Sequence, residues 1–263
     1  MIYYLFDQTY PGLLCCVFES FERKEFDVIP QIEGEFQPDF FSHSRKVITE
    51  TEKVRRVQKA LSQKVGKQTA LDFFKIFLSE DRTAWQALLA IMQYIFRHGP
   101  GIWQNYGHRD VLYLTQILKK VNRERHRMKA FIRFQKSRDG LYVAIVEPDF
   151  NVLPLISDFF RKRYADQHWL IYDTKRGYGL LYDRQQVAEV QLSKEEQSTL
   201  GDKVLSISLD ERDENFQRLW KLYYTSTNIE SRRNLKLHLQ HVPKRYWKYL
   251  TEKGRGGFLK FRE

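Results

Sequence analysis

Val121–Pro154 reads VNRERHRMKAFIRFQKSRDGLYVAIVEPDFNVLP, and a change of period inside this stretch decides the fold. Up to Val121 the apolar residues Val111, Leu114, Ile117 and Leu118 recur at helical spacing, and the helix they predict runs on into Arg123, Arg125, His126, Arg127 and Lys129. From Ala130 the period shortens. AFIRF and LYVAIV are β-rich runs, and Ser137-Arg138-Asp139-Gly140 between them has hairpin-turn chemistry. The second run is apolar on both faces, as a central strand is. Asn151 then reads as the cap of a helix that buries Val152, Leu155, Ile156, Phe159 and Phe160.

Further along, WLIYD and YGLLYD form a second hairpin around Thr174 to Gly177, and Val187 to Leu192 adds another strand. Residues 111–192 therefore predict an antiparallel sheet built from two hairpins and backed by helices. Toward the N-terminus, IYYLF (residues 2–6) reads as a short buried strand, and Leu13 to Phe18 opens a helix after the Pro11-Gly12 turn. Thr49 and Glu52 have capping-box spacing before the stripe Val54, Val57, Leu61 and Val65, which Gly66 stops. Leu71, Phe74 and Leu78 mark another helix. Asp81 caps one more, with Trp85, Leu88, Leu89, Met92 and Phe96 on its buried face. Beyond the sheet, Ser193 and Glu196 repeat the capping spacing, and Phe216, Leu219, Trp220, Tyr223 and Tyr224 form an amphipathic stripe.

The fold class read from this pattern is α+β, in one domain over residues 1–250. Residues 1–110 are its mainly helical part, 111–192 its sheet part and 193–250 a C-terminal helical part carrying a basic aromatic segment. Residues 251–263, Gly-rich and basic, read as a flexible tail. With 263 residues, 42% of them apolar, and 19 Phe and 15 Tyr, the chain can fill a core.

Charge is concentrated rather than spread. Between residues 118 and 138 nine Lys or Arg face Glu124 alone, and between 212 and 263 thirteen face five acids, so these two segments hold more than the whole chain's excess of +11. Such segments suit a polyanion. Arg123, Arg125, Arg127, Arg133 and Arg176 are the candidate phosphate contacts of the central region, although a helix C-terminus attracts cations by its dipole alone. In the C-terminal segment Arg232, Arg233, Asn234, His241 and Arg245 are candidate contacts interleaved with Tyr246 and Trp247. Rings of that kind stack on unpaired bases, or pack a last short helix onto the core.

Glu147 and Asp149 are the only closely spaced carboxylates at a strand end and, with His126 and Asp173, are the candidates for acid–base catalysis. Helix capping is the competing account of Asp149, and a local ion pair that of Asp173 with Arg176. The two cysteines, adjacent at Cys15 and Cys16, read as buried small hydrophobes and offer neither a disulfide framework nor a zinc or iron–sulfur spacing. No metal site or cofactor is read from the sequence. Walker, GxSxG, GxGxxG and HxE with PCxxC signatures do not occur. Reduced cysteines, no basic leader on MIYYLFD and no membrane-length apolar run together predict a cytoplasmic protein that does not enter a membrane.

Taken in order, YLFDQTYPGLLCCVFESF, ERHRMKAFIRF, DGLYVAIVEPDFNVLPL, WLIYDTKRGYGLLYD and LWKLYYTSTNIESRRNLKLHLQHVPKRYW resemble a bacterial DNA-metabolism family associated with a radical-SAM protein. The resemblance covers about residues 3–250. Gln8 and Pro11 depart from the acidic or small residues the family usually carries there. That family is a domain of unknown function, also found fused to uracil-DNA-glycosylase-like domains, and so it supplies no established catalytic residues. It implies DNA as ligand and, as partner, a radical-SAM protein encoded nearby that works in DNA modification or repair. The expectation is a DNA metabolism or repair factor that binds DNA, or a damaged or modified base. A stand-alone glycosylase or nuclease using Glu147 and Asp149 is the alternative, and a protein-interaction scaffold without nucleic acid is the third reading. Oligomeric state is not legible.

Overall fold

A computed structural model describes residues 2–37, 43–137, 140–191 and 242–250. It is α+β, as the sequence predicts. Helix α4 (Arg109–Phe131) carries the boundary between two compact units, Met1–Glu124 and Arg125–Glu263.

In the first unit, β1 (Ile2–Phe6) lies between β2 (Val28–Ile32) and β3 (His43–Lys46), and both neighbours run parallel to it. Parallel neighbours need a crossover, and α1 (Tyr10–Glu22) supplies the first. Helices α2 (Thr51–Phe77) and α3 (Arg82–His98) complete the unit together with the first part of α4. Trp85 is buried, stacks on Phe77 with ring centroids 4.8 Å apart, and donates its indole N–H to the Phe77 carbonyl at 2.8 Å. That bond satisfies the one polar atom a buried Trp brings into a core.

The N-terminal part is mainly helical, as expected, but this parallel sheet adds two strands to the single one read there. VIPQI contains Pro30, which a strand tolerates only at an edge such as β2, and HSRK is too polar for an apolar alternation to show. The capping box at Thr49 is also corrected. Glu50 holds the N-cap position of α2 without a side-chain cap bond, and the Thr49 hydroxyl donates instead to Asp7 Oδ2 at 2.8 Å. Gly66 does break the helix, with φ 80° and ψ 157° inside α2. Asp81 caps α3 by accepting from Ala84 N at 3.0 Å. Cys15 and Cys16 are free and fully buried, and burial pushes both thiols up from their usual pKa.

In the second unit, β4 (Gln135–Lys136), β5 (Tyr142–Val146), β6 (Trp169–Asp173), β7 (Tyr178–Tyr182) and β8 (Val187–Gln191) form one sheet in that order. Three of the pairings are antiparallel, but β5 and β6 are parallel, which corrects the expected all-antiparallel sheet. The reason is α5 (Leu153–Arg163), a helical crossover that returns the chain to the end at which β5 began. The hairpin after β6 is as read: Gly177, at φ 69°, donates to the Asp173 carbonyl at 2.9 Å.

AFIRF is not a strand. Helix α4 continues through Phe131, and Arg133 Nη1 donates to the Ala130 and Ile132 carbonyls at 2.7 and 3.1 Å, closing the helix end. Phe134 then turns its ring into an aromatic cluster with Phe160 and Tyr164, at centroid distances of 5.6 and 5.3 Å. Asn151 does not cap α5. Val152 holds that position, and the Asn151 amide oxygen accepts from the Tyr178 hydroxyl. The expected capping box at Ser193, the stripe Phe216 to Tyr224 and the tail 251–263 lie outside the described residues. Among the described residues, no helix is long and apolar enough to cross a membrane.

Candidate nucleic-acid interface

The parallel register places Val146 of β5 beside Asp173 of β6, so the two strands end side by side. The C-terminal ends of adjacent parallel strands are where α/β sheets present their ligand crevices. Glu147, Pro148 and Asp149 follow β5, and the turn Thr174 to Gly177 follows β6. Proline fixes its own φ and biases the residue before it toward extended backbone, so Pro148 sets the spacing of the carboxylates on either side of it.

Asp173 is fully buried and Arg176 nearly so, at 0% and 9% side-chain exposure. Arg176 Nη1 donates to Asp173 Oδ2 at 2.7 Å and to the Pro148 carbonyl at 3.1 Å, while Nη2 reaches the Asp149 carbonyl at 3.3 Å. Lys175 adds its backbone N–H to Asp173 Oδ1 at 2.9 Å and its Nζ to the Asp149 carbonyl at 3.1 Å. The β6–β7 turn thus pins the backbone of the loop after β5. Burial pushes the Asp173 carboxyl above the usual range in spite of the pull from Arg176 and the turn amides.

The basic aromatic segment meets this loop from the 3-10 helix Lys244–Tyr249. Lys248 Nζ lies 2.6 Å from Glu147 Oε2, Arg245 pairs with Asp149, and the Glu147 N–H donates to the Tyr249 hydroxyl at 2.9 Å. In a 3-10 helix residues three apart eclipse one another, which puts Arg245 and Lys248 on one face, roughly 6 Å apart along the axis. Two residues of extended chain span about the same 6–7 Å. One pair of cations therefore fits one pair of carboxylates.

Tyr246 is the anchor. Its ring is 2% exposed and packs on Phe131 of α4 with centroids 5.1 Å apart. The guanidinium carbons of Arg127 and Arg245 lie 5.3 and 4.7 Å from the ring centroid, so the two basic segments of the sequence meet at this residue. Trp247 is half-buried and donates its indole N–H to the Val242 carbonyl at 3.0 Å. Packing, rather than a free stacking platform, is what Tyr246 provides.

The remaining predicted residues are distributed along α4 and beyond. Arg123 and His126 are exposed, Arg125 is half-buried, and Arg133 is committed to the end of its own helix. Arg176 faces inward on Asp173. Arg232, Arg233, Asn234 and His241 lie outside the described residues. Lys248 and Tyr249 fall within the basic aromatic segment that the sequence marks, whereas Lys175 is left out of the site. The i,i+3 spacing of Arg245 and Lys248 was the available signal for that pair, while Lys175 acts through a carbonyl that no pattern marks. Lys129 lies 5.0 Å from the Phe159 centroid, and its ammonium is pushed below its usual pKa by burial and by Arg125. Among the described residues, no group of three or more His, Cys, Asp or Glu could hold a metal ion.

Comparison with known families gives a match over residues 82–252 to DUF4130, described as a domain of unknown function. No curated protein and no solved structure matches the chain.

Proposed function

The chain belongs to the DUF4130 family of unknown function, and from that premise we propose that it is a DNA metabolism or repair factor that binds DNA, or a damaged base within it, and acts with a radical-SAM partner. The observation that carries the binding reading is the meeting of the two basic segments at Tyr246, where Arg127 and Arg245 flank one buried ring. Local cation density of this kind supplies the sequence-independent part of nucleic-acid affinity. The partner rests on the family resemblance of the sequence blocks. With only two cysteines, the chain cannot itself supply the thiolates of a radical-SAM cluster, so that chemistry falls to the partner.

Glu147 and Asp149 each hold a cation of the 3-10 helix rather than standing free as bases, which favours binding over a stand-alone glycosylase or nuclease. The test is a titration of labelled single-stranded and duplex DNA at several salt concentrations. Affinity falls steeply with salt, and Arg127→Gln or Arg245→Gln weakens binding and flattens the logarithmic salt slope by about 1 each. Absent affinity, or affinity indifferent to salt, removes the reading.

A further inference from the structure

We propose that the loop Glu147-Pro148-Asp149 is an internal competitor for phosphate: in the free protein its two carboxylates occupy Arg245 and Lys248, and nucleic acid binds by displacing them. This inference rests on the DNA-binding reading above and gives that site a regulatory gate.

Three features of the geometry point to an exchangeable contact rather than a structural one. The first is exposure. Side chains of Arg245 and Asp149 are each 47% exposed, and those of Lys248 and Glu147 are 28% and 54% exposed. Ion pairs this open to water are individually weak, so a polyanion that releases counterions on binding can replace the carboxylates without opening a core. By contrast Asp173 and Arg176, which pin the backbone of the same loop, are sealed at 0% and 9% and cannot be exchanged in this manner.

The second feature is that both partners are held in place by contacts that do not involve the carboxylates. The Pro148 and Asp149 carbonyls are bound by Arg176 and Lys175, and the Glu147 N–H by Tyr249. On the other side, the 3-10 helix is anchored through the buried Tyr246 ring on Phe131. Releasing the two carboxylates therefore leaves both backbones where they are. The third is the matched spacing: the cations that face two carboxylates about 6 Å apart are positioned for two anionic groups of a polymer at a similar separation.

The experiment measures the affinity of purified full-length protein for labelled single-stranded and duplex DNA at low and high salt. Wild type is compared with Glu147→Gln/Asp149→Asn and with a control of the same net charge, Asp166→Asn/Glu189→Gln, whose exposed carboxylates lie away from the loop after β5. The loop variant binds about fivefold more tightly than wild type at low salt, a gain that shrinks as salt rises, while the control gains less than twofold. Each single loop substitution gives part of the gain, which keeps the test open if the double variant folds poorly. Equal gains in loop variant and control would reduce the effect to overall charge and overturn the proposal. So would an unchanged or weakened affinity of the loop variants beside a wild type that binds, and in that case the DNA-binding reading survives. If no form of the protein binds DNA, that reading falls and the competitor goes with it.

Discussion

Each unit ends a parallel strand beside an aspartate, and the two aspartates are used in opposite ways. Asp7 follows β1, is exposed, and collects the Thr9 hydroxyl at 2.6 Å, the Thr9 N–H at 3.0 Å and the Thr49 hydroxyl at 2.8 Å. Partial burial would raise its pKa, but these donors outweigh that and hold it below the usual carboxylate value. Asp173 closes β6, has no exposure, and rests on the single guanidinium of Arg176 and two turn amides. Burial wins there, and its pKa goes up. The same residue type at the end of a strand thus acts as a wetted staple between two loops in one unit and as a buried counter-ion in the other. What distinguishes them is solvent, because neutral hydroxyls suffice at a surface whereas a sealed carboxylate needs a cation.

The sharpest way to break this comparison is at the buried pair. Asp173→Ala leaves Arg176 buried without its carboxylate and should destabilise the protein by about 3 kcal/mol, read as a lower urea midpoint. Replacing both, as Asp173→Leu with Arg176→Met, should recover most of that loss. If the single substitution costs no more than an exposed one, Asp173 is not a sealed ion and the contrast fails.

A smaller effect is expected at Asp7. A Cβ on Gly12 would overlap Asp7 Oδ1 and crowd Phe6 and the Thr49 hydroxyl at 3.1 Å, so Gly12→Ala must push the carboxylate off its donors. A cost of about 1–2 kcal/mol follows from overpacking and lost hydrogen bonds, and thermal denaturation would show it.

The subtlest difference is in pH dependence. A raised carboxyl such as Asp173 contributes stability that is full below the unfolded value of about 4 and is lost as pH rises through its folded pKa. A lowered one such as Asp7 contributes stability that is present above about 4 and is lost as pH falls through its folded pKa. Asp173→Asn should therefore cost most at acid pH, and Asp7→Asn most at neutral pH. Urea midpoints from pH 3 to 7 that move in the same direction for both variants would erase the distinction.

Much of this protein is legible in its sequence. Strand β1, the hairpin of β6 and β7, the Asp81 cap and the break at Gly66 all follow from nearest-neighbour patterns of apolar spacing, turn residues and caps. The two basic segments, too, were visible as charge. Where the reading failed, the deciding interaction came from far along the chain. Thr49 and Asn151 look like caps because each is a short polar residue before an apolar stripe, yet Asp7 and Tyr178 claim them. AFIRF has strand propensity, but the continuation of α4 and the aromatic cluster around Phe134 override it.

The sequence by itself determined the α+β class, the buried cysteines and the clustering of charge, because composition, period and turn chemistry are local properties of the chain. Only the tertiary structure decided that β5 and β6 run parallel, that Asp173 is sealed, and that Arg245 and Lys248 lie on the loop after β5. Those outcomes depend on which distant groups share a low-dielectric or crowded space. No local pattern encodes that Asp149, 96 residues before Arg245, and Glu147, 101 residues before Lys248, would find two cations at a matching spacing.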